Sequence, residues 1–86
     1  MNSETNTAEV VKTNFIAGYG NLPAVQQIPF KNAVMKECGW NSLVTFHNKR
    51  RGLVRITPPE IQILEAHFKK FGINPWTGMP FFDENY

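Results

Sequence analysis

The chain has one cysteine, Cys38, in 86 residues. That excludes an internal disulfide framework and suits a reducing compartment. Its longest apolar runs are a few residues, far short of the roughly 20 that span a bilayer, so no membrane association is expected. The opening MNSETNTAEV is polar and has no apolar signal core, and a cytoplasmic location is the expectation. Carboxylates number seven and are scattered. No nucleophile–base pairing falls on one face, so we expect neither an enzyme nor a small-molecule substrate. Gly18-Tyr19-Gly20 has no preceding strand and no third glycine, which removes a dinucleotide fingerprint, and no cofactor is expected. His47 and His67 stand 20 residues apart without cysteines at ligand spacing, so no metal site is expected either. Internal repeats and low-complexity tracts are absent.

What is present is an ordinary globular composition, 42% hydrophobic, in a chain the length of one small domain. The net charge of +2 is unevenly placed. Residues 1–30 carry −1, residues 31–55 carry +5 and residues 56–86 carry −2. Positive charge gathered in the middle third raises the local potential toward an anionic partner. The bland alternative is a solvated cationic surface.

The periodicity predicts an all-α fold of four helices. Residues 1–6 read as a disordered end and 7–75 as the folded domain. Thr7 caps a first helix beginning at Ala8, with Val10, Val11, Phe15 and Ile16 as one apolar stripe and Gly18 and Gly20 as its stop. Residues 21–28 form a connection broken by Pro23. Pro29 then starts a second helix, with Phe30, Ala33, Val34 and Cys38 inward and Lys31, Asn32 and Lys36 outward, ended by Gly39. Asn41 or Ser42 caps a short third helix. Centring Phe46 inward brings Leu43 and Arg50 near the core, turns Val44, Asn48 and Arg51 outward, and flanks them with Thr45 and His47. Gly52 closes it. Thr57-Pro58-Pro59-Glu60 is a capping box for a fourth helix with Ile61, Leu64, Phe68 and Phe71 inward, a Glu65–Lys69 pair at i, i+4, and Gly72 as its end. The remainder, 76–86, holds Pro80 and Gly78 among Trp76, Phe81, Phe82 and Tyr86. It is predicted non-helical, packed on the domain or on a partner. Trp40 and Cys38 are expected to be core residues, and His67 a boundary side chain.

Two short helices joined by a tight turn at Gly39 and followed by cations have the layout of a helix-turn-helix, whose second helix enters the major groove of duplex DNA. Asn48 and Arg51 suit bidentate contacts to adenine and guanine, Thr45 and His47 hydrogen-bond to base edges, and Val44 suits a thymine methyl. Lys31, Lys36, Ser42, Lys49 and Arg50 are the candidates for phosphates.

The stretch NAVMKECGWNSLVTFHNKRRGLVRITPPEIQILEAHFKKFGINP resembles the helix-turn-helix family of lambda-repressor and Cro-like regulators. It is more similar still to a group of small phage-like or Bacteroidetes proteins with a Trp-Ser-x-x-Thr-Phe core, here Trp40 followed by Ser42-Leu43-Val44-Thr45-Phe46. The similarity covers residues 30–75. It implies operator binding through the recognition helix, commonly by a homodimer, and a small transcriptional regulator or mobile-element accessory protein. This sequence departs from the pattern in three places. Asn41 lengthens the turn by one residue, Met35 stands where a small residue is usual, and the aromatic tail replaces a fifth helix. A different class of function fits the same scaffold: a protein-interaction module holding an acidic partner through the third helix and the tail.

Overall fold

Caps written in the sequence set half of the helix boundaries among the described residues. The computed structural model describes residues 12–80. The described residues are helical and contain no strand: α1 (Ile16–Gly20), α2 (Ala24–Cys38), α3 (Leu43–Arg51) and α4 (Pro58–Lys69). Gly39 and Gly52 end α2 and α3 at φ 75° and 81°, a left-handed conformation that glycine adopts without a Cβ penalty. Glu60 reaches back to the Thr57 N–H at 2.9 Å at the start of α4. The expected Thr7 cap, Val10, Val11, Phe81, Phe82 and Tyr86 lie outside the described residues.

Two helix starts differ from expectation. α2 begins at Ala24, not Pro29. Pro23 occupies the N-cap with extended backbone (φ −54°, ψ 140°), and its carbonyl accepts from the Gln26 N–H at 2.8 Å. The Gln27 side chain then ties this first turn to α1, donating to the Tyr19 and Leu22 carbonyls at 3.1 and 3.3 Å. Pro29 therefore lies inside the helix. It removes one backbone donor there, and the carbonyl it orphans belongs to Val25, which is 78% exposed and open to water.

α1 runs through Gly18 and ends at Gly20. Phe15 precedes the helix at φ −125° and is fully buried, while Ile16 is exposed, so the two do not share a stripe. Gly18 is required for another reason. A Cβ on it would sit 2.6 Å from the Cα and carbonyl oxygen of Pro75, whose carbonyl accepts the Gly18 N–H at 3.2 Å.

α2 and α4 pack against each other through the stripes the sequence predicts: Phe30 and Val34 are buried with Ala33 and Cys38 half-buried, and Leu64 and Phe68 are buried with Ile61 and Phe71 half-buried. Phe15 is the hub. Its ring lies 6.5 Å from Trp40, 5.7 Å from Phe46 and 6.1 Å from Phe68, edge-on to both phenylalanines, an arrangement that adds to the area each ring buries.

Residues 70–80, the described part beyond α4, are non-helical, with a bridge between Ile73 and Pro80. Trp76 belongs to the core, and its indole Nε1 donates to Glu65 at 3.0 Å. Glu65 also pairs with Lys12 at 2.9 Å, replacing the expected Lys69 partner. An exposed i, i+4 pair contributes only about 0.2–0.5 kcal/mol, too little to hold Glu65 against the indole of buried Trp76 and the Lys12 amine.

Candidate nucleic-acid interface

α3 is short; a cap closes its first turn, and two contacts set its orientation. Ser42 caps it, its Oγ accepting the Thr45 N–H at 3.2 Å. Phe46, fully buried, wedges edge-on against Tyr19 at 5.4 Å and Trp40 at 6.1 Å. At its last turn the Arg50 carbonyl accepts the Phe15 N–H at 3.0 Å. The middle and the last turn are thereby fixed to the rest of the fold, and the cap closes the first turn locally.

A further fixing point is one that charge alone does not reveal. Lys49, expected at a phosphate, is buried at 8% exposure. Its Nζ donates to Glu60 Oε1 at 2.8 Å and to the Arg55 carbonyl at 2.7 Å, and lies 5.8 Å from the Trp40 ring centre. Lys49 follows Phe46 by three residues and so shares its inward side. That spacing was the available signal. Glu60 is the partner: burial pushes its carboxyl pKa up, but hydrogen bonds from Lys49, the Thr57 N–H and Trp40 Nε1 (2.8 Å) outweigh this and hold it below the usual range. One carboxylate thus joins α3, the turn before it and the first turn of α4.

Arg50 is also only half free. Its guanidinium lies 5.9 Å from the Tyr19 ring centre, one of its terminal nitrogens is 3.3 Å from His47 Nδ1, and Nε is buried without a hydrogen-bond partner. Burial raises the Tyr19 pKa against the opposing charge of Arg50. Leu43, expected near the core, is 51% exposed. The two flanks of Phe46 are unequal: α4 and Trp40 cover the Lys49 side, and nothing comparable among the described residues covers Leu43.

The outward face matches the helical wheel more closely. Val44 is 67% exposed and Arg51 is exposed, with Thr45, His47 and Asn48 half-buried beside them. The Thr45 hydroxyl is 3.2 Å from that of Ser42, and both hydroxyls serve the cap. The Asn48 carbonyl accepts the Leu53 and Val54 N–H groups at 2.9 and 3.4 Å, which fixes the link that follows. Lys36 is exposed on α2, and Lys31 is half-buried. Sequence reasoning did not single out Arg55, which is exposed, or Leu53 and Val54, 65% and 45% exposed.

Elsewhere the chemistry is quiet. The Cys38 thiol is half-buried, and burial, together with the negative charges of Glu60 and Glu37, pushes its pKa up to about 11 against the opposing Lys49; such a thiol is a poor nucleophile. His67 pairs with Glu37 at 3.2 Å. Among the described residues no group of histidine, cysteine and carboxylate side chains is placed to hold a metal, and no helix is long and apolar enough to cross a membrane.

No protein-family model, no curated protein and no solved structure matches this chain.

Proposed function

We propose that the protein binds duplex DNA by laying the outer face of α3 in the major groove, with Arg51, Asn48, His47 and Val44 toward base edges and Thr45 at the margin. The observation that carries this reading is the outward face of α3, where Val44 and Arg51 are exposed and Asn48 is half-buried, on a helix anchored at its middle and at its last turn. A rigid outward helix is what groove recognition needs, since side chains read bases only from a fixed backbone position. Lys36 on α2 and Arg55 after α3 are exposed cations and are the phosphate contacts of this reading, with Lys31, Arg50 and the Ser42 end of the helix as lesser ones. Lys49 is not a phosphate contact. The biological role that fits is a small transcriptional regulator or an accessory protein of a mobile element.

A second reading draws on Leu43, Val44, Leu53 and Val54, four exposed apolar side chains on α3 and the link after it. An acidic protein partner with apolar anchors fits that mixture of cations and apolar groups.

Selection of bound sequences from random duplex DNA, followed by salt titration, separates the two. On the DNA reading one sequence class is enriched, and affinity falls with a log–log slope of about −2 to −4, for two to four neutralised phosphates. Palindromic sites with half-sites about one helical turn apart mark two copies per site. No enrichment together with a flat salt response removes the DNA reading.

A further inference from the structure

Where the chain enters α1, leaves α3 and begins α4, the packing leaves a cleft of about 390 Å³, near the lower end of the roughly 300–1,000 Å³ range of small-molecule sites. Its apolar lining is Ile56, Pro58 and Ile61, and its edge carries Lys12, Gly52 and Arg55. We propose that this cleft binds a small monoanion with an apolar body, an aryl- or acyl-carboxylate, through the Arg55 guanidinium.

The two cations at the edge are not equivalent. Lys12 Nζ is paired with Glu65 at 2.9 Å, which cancels its charge locally. Arg55 is exposed, and its side chain makes no ion pair or hydrogen bond among the described residues. Its backbone is nonetheless held, because its carbonyl accepts the Lys49 amine at 2.7 Å. An anchored backbone carrying a free guanidinium beside an apolar lining is matched by a ligand with one carboxylate and an apolar remainder. The planar fork takes a carboxylate through two parallel hydrogen bonds, and Ile56 and Ile61 take the body. Gly52 and Thr13, which also line the cleft, are in close contact: a Cβ on Gly52 would lie 2.9 Å from the Thr13 carbonyl oxygen.

The site itself does not depend on the DNA reading; its consequence does. Arg55 is one of the two exposed cations assigned above to phosphates. A carboxylate on it removes one phosphate contact and makes the cleft an inhibitory effector site.

The test is an amide NMR titration of the full chain with 4-phenylbutyrate, and with 4-phenylbutyramide as the neutral control. The expected result is saturable shifts concentrated at Thr13, Gly52, Arg55 and Ile61, with affinity about tenfold lower for the amide and for Arg55→Gln, the loss of one charge-assisted pair. Arg55 is exposed, so that variant keeps the fold. Ile61→Trp fills the cleft and abolishes the shifts. Equal affinity for acid and amide, shifts centred on Val44 and Leu53, or contacts from residues 1–11 to Ile56 and Ile61 in the ligand-free chain would each overturn the proposal. A separate DNA titration reads the consequence: saturating 4-phenylbutyrate lowers the salt slope by about 0.9. If the chain binds no DNA, the NMR result stands unaffected.

Discussion

Lys49 Nζ and Glu60 Oε1 lie 2.8 Å apart across the α3–α4 contact, with side chains 10% and 15% exposed. A pair this sheltered is costly to break from one side, because the survivor stays desolvated and charged. Glu60→Ala also strips an acceptor from Trp40 Nε1 and the Thr57 N–H. We expect it to cost about 3–5 kcal/mol in urea unfolding. Lys49→Met with Glu60→Ala together should cost less than the sum of the two singly, since no charge is then stranded. Additive losses would mean the contact contributes little.

The same pairing predicts the acid response. Glu60 and Glu65 are both held below the usual carboxylate range despite burial that pushes them up, Glu60 by Lys49, Thr57 and Trp40, Glu65 by Lys12 and Trp76. A depressed folded-state pKa means the folded chain releases these protons more readily than the unfolded one. Their stabilisation is therefore fully present above the unfolded value of about 4.3 and is lost as pH falls through the folded values. Stability measured by denaturant should stay level from neutral pH to about 5 and decline steeply below about 4. In Glu60→Gln that decline is shallower.

Burial also sorts the cations in any DNA measurement. Lys36→Ala and Arg55→Ala should each reduce the log–log salt slope by about 0.9, on matched and scrambled duplexes alike. Lys49→Met should leave the slope unchanged, because its ammonium already faces Glu60. Arg51→Ala should cost about 1–3 kcal/mol at one base position of the selected site and much less elsewhere. A slope change in Lys49→Met that equals the one in Lys36→Ala would show that the amine leaves Glu60 on binding.

Helix identity was legible wherever a local rule operated. Ser42, Gly39, Gly52 and the Glu60 reach-back each solve a helix-end problem within a few residues. The stripes Phe30–Val34 and Leu64–Phe68 repeat at helical spacing. What escaped was whatever depended on a distant neighbour. Nothing near Pro29 in the chain reveals that Gln27 will be tied to Tyr19 and Leu22, which lets α2 start five residues earlier than expected. The Glu65–Lys69 spacing is a good local pair, but Trp76 and Lys12 arrive from the chain's two ends. At the candidate interface the wheel correctly turned Val44 and Arg51 outward. It did not reveal that Glu60 would claim Lys49, since charge alone does not tell a surface lysine from a buried one.

Gly18 and Gly20 offer a paired test of that dependence on distant contacts. Two residues apart in α1, both have ordinary helical backbone, and by propensity alone alanine should improve either one. A methyl on Gly20 would meet nothing within 4 Å, so Gly20→Ala should stabilise by about 0.4–1 kcal/mol, mainly by narrowing the unfolded ensemble. At Gly18 the same methyl would lie 2.6 Å from the Pro75 Cα and oxygen. Those are backbone atoms, which cannot swing aside as a side-chain tip does. The segment must instead back away, loosening the 3.2 Å Gly18–Pro75 hydrogen bond and the neighbouring seat of Trp76. Gly18→Ala should therefore cost about 1–3 kcal/mol, and Trp76 fluorescence should report a more solvated indole before global unfolding. If both alanines stabilise alike, the 73–80 turn is not packed on α1, and Trp76 leaves the core.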